Sequence, residues 1–275
     1  MPIMAIDPST THTLTSPDGA ELVVTAHGGH VLGWTPAGGP ARLWLSPTAE
    51  SGPGLAVRGG VPVIFPQFAG RGPLPKHGIA RNRAWVVVES GAGFWEARLE
   101  DDENTRAIWP HAFELVLRAQ ASGAVLDLTL TARNTDTQPW NFTAALHTYF
   151  TVGDSDTVIT GLGGQAAADN AGGPPVALDD AVLALGTRDV AIEGASGPVT
   201  LEDPQLGPLV VTANGFPDRV VWNPGPGHGL GDVPPGAERG FVCIEPALLQ
   251  PTELGPGSVW TGTVRLDAGA LSTDA

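Results

Sequence analysis

The stretch LDLTLTAR, residues 126–133, decides the fold class. Leu126, Leu128, Leu130 and Ala132 fall on every second position, with Asp127, Thr129, Thr131 and Arg133 between them. Successive side chains of a β-strand point to opposite faces, so this alternation marks a strand with one face buried and one wet. Just upstream, FELVLRAQ (113–120) sets Phe113, Leu115 and Leu117 against Glu114, Val116 and Arg118, and VWTGTVRLDA (259–268) alternates in the same way. The more continuously apolar runs WVVV (85–88), VVW (220–222) and FVCI (241–244) predict strands covered on both faces.

Turn-forming clusters separate these runs, among them SPDG (16–19), ARNTDTQP (132–139) and NPGPGHG (223–229). The chain holds 37 glycines and 26 prolines in 275 residues, and both residue types disfavour helix interiors. No helix longer than about ten residues is predicted. GLGGQAAADNAGGPP (161–175) reads as a long surface loop, because strand-like sequence continues on either side. The expectation is an all-β protein, largely antiparallel, forming one large sandwich over residues 1–275.

Composition narrows the function classes. An apolar fraction of 42% with 16% charged residues excludes a disordered chain. A net charge of −15 argues against nucleic acid or an anionic membrane as a partner. Cys243 is the single cysteine, so no intrachain disulfide can form, which suits a reducing compartment. The opening MPIMAIDPSTTHTLTSPDG has neither the basic region nor the apolar run of a signal peptide. No apolar stretch reaches the ~18 residues of a membrane-spanning helix. A cytoplasmic protein is expected.

Within this acidic chain, residues 51–88 contain no Asp or Glu but hold Arg58, Arg71, Lys76, Arg81 and Arg83, five of the 14 basic residues. Local positive charge in a negative protein focuses a small anion, and the planar arginine fork suits phosphate or carboxylate. A plain basic surface loop is the alternative reading. HGGH (27–30) has a spacing seen in metal sites, but it lies between two strand-like runs with no third ligand nearby, so a turn is favoured over zinc. No glycine-rich segment follows a strand and opens a helix as a nucleotide loop would. Trp34 and Trp44 fit either the core or a surface that stacks on a ligand.

Five segments then occur in order: RGGVPVIFPQF (58–68), GPLPKHGIARNRAW (72–85), LHTYFTVGD (146–154), VVWNPG (220–225) and VCIEPA (242–247). Together they resemble the glucose-6-phosphate 1-epimerase branch of the aldose 1-epimerase superfamily, over roughly residues 15–267. The resemblance implies a galactose-mutarotase-like β-supersandwich that exchanges the anomers of a hexose 6-phosphate without a metal or organic cofactor. It further implies a monomer whose partner is a small sugar phosphate. By motif, His147 falls at the general acid and Glu245 at the general base. Arg58 and Arg81 fall at phosphate contacts, and His77 at a second sugar-contacting histidine. Asp189 in TRDVAI is the best match to an acidic sugar-binding residue, with Asp180 as its rival. Lys76 stands where many relatives have Gln, and is a candidate substrate contact. Gly225 replaces an aromatic that often follows VVWNP, and TRDVAI lacks the usual Arg-Tyr after its acid.

The residue types suit that chemistry. Ring opening needs a base at the anomeric hydroxyl and an acid at the ring oxygen, with the roles exchanged on reclosure. Histidine titrates near neutrality, and a half-buried glutamate can be tuned upward. A carboxylate ending the apolar run FVCI is costly unless it has a use or a partner. Without the motif, each group has a structural reading: His147 as a hydrogen-bonded strand residue, the arginines as ion-pair formers. Three other functions compete: a mutarotase for unphosphorylated aldoses, a glycoside hydrolase and a non-catalytic sugar-phosphate sensor. A hydrolase needs a second carboxylate, which no motif supplies. A sensor needs no acid–base pair.

Overall fold

The alternating segments build a nine-stranded antiparallel sheet in the computed structural model, which describes residue 6, residues 8–170 and residues 172–269. Strand Phe113–Ser122 turns through Gly123 into Val125–Asn134, which pairs on its other side with Val259–Asp267. Register places Leu117 opposite Leu130 and Leu128 opposite Val264, so the apolar positions read from the sequence share one face. All four are essentially inaccessible to solvent. Each leucine buried in this way contributes about 1.5–3 kcal/mol, which locks the register, because a slip of one residue would turn the whole set outward.

An eight-stranded sheet packs against that face. Its order runs Val176–Ala177, Ala166–Asp169, Arg188–Ile192, Asp218–Asn223, Phe241–Leu254, Trp140–Leu146 and Val63–Ile64, with Tyr149–Thr151 also pairing the start of Phe241–Leu254. Phe142, Leu146, Val221, Val242 and Ile244 join the common core between the sheets. The opposite face is left for function. Helix is confined to short pieces; the α-helix Glu103–Ile108 has six residues and is capped by Asp102, whose carboxylate accepts from the Thr105 amide.

A third, smaller sheet of Thr11–Thr15, Glu21–Thr25 and His30–Thr35 carries HGGH at a hairpin turn. Its histidines anchor the basic segment: His30 Nε2 donates to the Gly59 carbonyl at 2.8 Å and His27 Nε2 to that of Leu55 at 2.7 Å. The RGG glycines are required by close approach. Gly59 and Gly60 have φ of 113° and 60°, and a Cβ on them would lie 2.5 Å from the Trp44 carbonyl oxygen and 2.3 Å from that of Val31.

Two expectations need correction. Val86, Val87 and Val88 are exposed, not covered on both faces, because Val86–Gly91 is the outermost strand of the nine-stranded sheet. Only Trp85 of WVVV is buried, with its indole N–H donating to the Ala80 carbonyl. Segment 161–175 is not simply a loop. Ala166–Asp169 pairs with Arg188–Ile192 and with Val176–Ala177 through backbone bonds that its small, weakly patterned side chains do not advertise. Trp34 is a core residue.

His30 is fully buried, and burial holds its pKa at about 4 against an ordinary 6.5. The unfolded chain therefore takes up the proton first, and stability is lost as pH falls from 6.5 towards 4. Between pH 7 and pH 5 this one group costs about 2 kcal/mol. His30→Gln, which keeps a donor for Gly59 but cannot be protonated, is expected to lose that much less stability than the parent over the same interval, as measured by urea denaturation at both pH values.

Candidate active site

The register of Phe241–Leu254 assembles the centre. Ala247 pairs with Ala145, and Cys243 with Tyr149, so His147 and Glu245 fall opposite each other between them. The strand is locally opened there: the His147 amide donates to the Pro62 carbonyl and that of Thr148 to Leu146. Glu245 is also paired with Val220, and Cys243 with Trp222, which in turn pairs with Asp189. Directly opposed residues share a face, so Asp189, Trp222, Val220, Glu245 and His147 all project to the side away from the core.

His147 Nε2 lies 3.3 Å from Glu245 Oε1, with both side chains almost wholly buried. The pair forms the floor of a cleft of about 580 Å³. Arg58, Lys76, His77, Arg81 and Asp189 line the same cleft, so every site residue read from the sequence comes together there. Asp180 does not line it; its carboxylate packs beside Gly163. Trp44 lies against Phe241 and Tyr149 behind the cleft floor, and the tryptophan facing the opening is Trp222.

His77 is held by an unusual backbone. Its φ is 67°, and Gly78 follows at 72°, where a Cβ would come within 2.1 Å of the Phe65 carbonyl oxygen. The Ala69 amide donates to His77 Nδ1 at 3.4 Å, which leaves the Nε2–H as the donor available to the cleft. Burial, then the charges of Arg81, Lys76 and Arg58, bring the His77 pKa to about 3. Burial acts likewise on His147, helped by His77 and the two arginines, and holds it well below the ordinary value. Glu245 moves the other way: burial, reinforced by Asp189, raises it well above the carboxylate range. Such a pair resists carrying net charge. One proton held between carboxylate and imidazole lets one group donate while the other accepts.

Cys243 puts a thiol near this pair, with ligand atoms of the three residues within 4.8 Å of one another. Burial raises the thiol's pKa, and the thiolate is the metal-binding form, so this set suits proton transfer better than metal ligation.

A second cavity of about 330 Å³ adjoins the cleft. Arg58, Lys76 and Arg81 line both, and Tyr149 and Asp232 line the second. Arg58 donates through Nε to Asp232 at 3.0 Å and through Nη1 to the Tyr149 hydroxyl at 2.9 Å. Burial opposes its charge, but Tyr149 and Asp232 outweigh that and raise its pKa, so the guanidinium is firmly cationic.

Residues 10–267 match the family described as Aldose 1-epimerase. The chain belongs to the aldose 1-epimerase family. It is thus an isomerase acting at the anomeric centre of a sugar. A relative from Cenchrus ciliaris, provisionally named glucose-6-phosphate 1-epimerase, is 35% identical over 262 residues, covering 88% of this chain and 79% of its own. The crystal structure of a provisionally named mutarotase from Salmonella typhimurium superposes with a TM-score of 0.82 at 27% identity, covering 98% and 97% of the two chains. A galactose mutarotase related enzyme from Lactobacillus acidophilus, at 16% identity, shares the fold with a TM-score of 0.74 over 94% and 96%. The two large sheets are therefore those of the galactose-mutarotase-like β-supersandwich.

Several groups of this epimerase cleft escaped the sequence reading. Asn170 donates to Asp189 Oδ1 at 2.6 Å and accepts from Arg71 Nη2 at 3.0 Å, which ties the basic segment to the far wall. Arg71, which no motif singled out within the basic segment, thus lines the cleft. Asp232 sits in a Gly/Pro-rich loop without a pattern, whereas Tyr149 had a signal: it is the chain's one tyrosine.

Two outcomes are expected. The ring resonances of His147 should keep the shifts of a neutral imidazole from pH 8 to pH 6 in an NMR titration, whereas an ordinary histidine at 6.5 would be mostly protonated by the end of that range. Gly78→Ala should cost about 1–3 kcal/mol, from the positive φ and the clash with Phe65, read as a lowered urea midpoint.

Proposed function

We propose that this epimerase acts on a hexose 6-phosphate, with glucose 6-phosphate foremost, and that His147 and Glu245 perform the proton transfers. The observation that carries the reading is the shared wall: Arg58, Lys76 and Arg81 face both the cleft containing the acid–base pair and the cavity beside it. A sugar over His147 and Glu245 would extend its phosphate towards those three cations, in a chain whose net charge is −15. The names of the relatives support the same class of substrate.

In the proposed mechanism, the pair rests as a neutral imidazole and a protonated carboxyl, and its proton passes from Glu245 to His147 once the sugar is bound. The Glu245 carboxylate then takes the proton of the anomeric hydroxyl while the imidazolium so formed protonates the ring oxygen. The C1–O5 bond breaks, and an open-chain aldehyde remains. Rotation about C1–C2 turns the other carbonyl face to the C5 hydroxyl. The hydroxyl oxygen then adds to C1, His147 takes its proton, and Glu245 returns one to the new anomeric oxygen. The pair ends with the protons it began with. The Nε2–H of His77 and the carboxylate of Asp189 are suited to hold sugar hydroxyls, and the Trp222 ring to cover an apolar sugar face.

Saturation-transfer NMR of glucose 6-phosphate, with glucose and galactose in parallel, tests the reading. Faster enzyme-dependent exchange of the phosphate ester is expected. His147→Asn and Glu245→Gln should each lower kcat by about 10²–10⁴-fold, and Arg58→Ala and Arg81→Ala should each lower kcat/KM for the phosphate ester more than for the free sugars. Equal exchange of the free sugars would refute the phosphate assignment, and near-normal rates in His147→Asn or Glu245→Gln would refute the acid–base assignment.

A further inference from the structure

Tyr149 is 2% exposed and lines the second cavity but not the cleft. One face of its ring lies flat on the His147 imidazole, with centroids 4.9 Å apart and planes 10° apart. Its hydroxyl accepts from Arg58. Trp222 meets both rings edge-on, at 6.0 Å from Tyr149 and 5.8 Å from His147, and Phe241 packs on Tyr149 at 5.2 Å. A side chain enclosed in this way has no room to shift by itself.

His147 is unusual for a proton-transfer histidine in what orients it. Its Nδ1 is buried and meets no hydrogen-bond partner among the described residues. No other described residue holds this nitrogen as the buried carboxylate does in hydrolase triads. Its angle is set by its neighbours: the Tyr149 face, and the edges of Trp222 and His77, the last at 5.5 Å.

Resting on the hexose-phosphate reading, the geometry points to Tyr149 as a positioning residue that couples the phosphate site to the acid–base pair. A phosphate on the Arg58 guanidinium fixes the group that holds the Tyr149 hydroxyl, and the ring carrying that hydroxyl fixes the imidazole plane. Binding energy from the non-reacting end of the substrate is thereby expressed at the reacting end, and so appears in kcat as well as in KM. A free aldose brings no phosphate to Arg58, which keeps its pairing with Asp232, and forgoes this contribution.

The test compares kcat and KM for glucose 6-phosphate and glucose in the parent and in Tyr149→Phe, which removes the hydroxyl and keeps the ring. A thermal melt of each protein accompanies the kinetics. The kcat ratio of phosphorylated to free sugar is expected to fall about tenfold in the variant, with KM for the phosphate ester changed less than about threefold. A role in stability alone lowers both substrates alike and leaves the ratio in place, which overturns the coupling, as does a loss confined to KM. Inorganic phosphite supplies a measurement that does not need the variant to fold. Added with glucose to the parent protein, it should accelerate exchange of the free sugar; no acceleration overturns the coupling. Failure of the parent protein to turn over glucose 6-phosphate at all is a different result, and removes the phosphate reading itself.

Discussion

The cleft depends on the pairing of one strand, Phe241–Leu254, with three partners at once. Asp218–Asn223 lies on one side, and Trp140–Leu146 followed by Tyr149–Thr151 on the other. Because side chains alternate faces, Ile244 enters the core while Cys243 and Glu245 point outward. Moving this strand by one residue would bury the wrong set and send Glu245 into the apolar interior, at a cost of several kcal/mol for an unpaired carboxylate. The hydrophobic registry of the sandwich therefore places the chemistry, and the distance between Glu245 and His147 follows from backbone pairing more than from any contact between them.

Electrostatics then divide the opening. The floor is nearly closed to solvent, and disfavours charge on both of its titratable groups. The wall above it is cationic: Asp232 and Tyr149 hold the charge on Arg58, and Arg81 donates to the Lys76 carbonyl. A neutral, dry floor beside a charged rim suits a substrate with one reactive apolar-faced end and one anionic end. The rim is itself moored to the smaller sheet, where two histidine rings act as donors to main-chain carbonyls. HGGH is thus a structural device for the anion-binding segment.

Most of this was legible because it follows from local pattern or from ordered motifs. Period-two alternation identified three adjacent strands of the nine-stranded sheet, Phe113–Ser122, Val125–Asn134 and Val259–Asp267, and the motif series brought seven residues to what proves to be one cleft. The failures share a cause. Val86–Val88 have the composition of a central strand, and only the order of strands in the sheet makes them an edge. Ala166–Asp169 joins its sheet by backbone bonds that carry no side-chain signature. Asn170 and Asp232 act through partners 19 and 174 residues away, a proximity that no local spacing encodes. Arg71 carried no individual signal, since the residue it meets, Asn170, is on the other side of the opening.

The same strand has a consequence in time. It supplies Glu245 from late in the sequence, whereas His147 and Arg58 are made far earlier, and the pairing it completes is wholly long-range. Loop closure over such separations is slow, and β-proteins dominated by distant contacts fold in milliseconds to seconds. During synthesis, the cationic wall and the imidazole exist before their carboxylate does, next to an uncovered strand edge at Trp140–Leu146. The chain must therefore pass through a stage with an open sheet and half a centre, and Phe241–Leu254 closes both in one event. Catalytic competence and completion of the sheet arrive together.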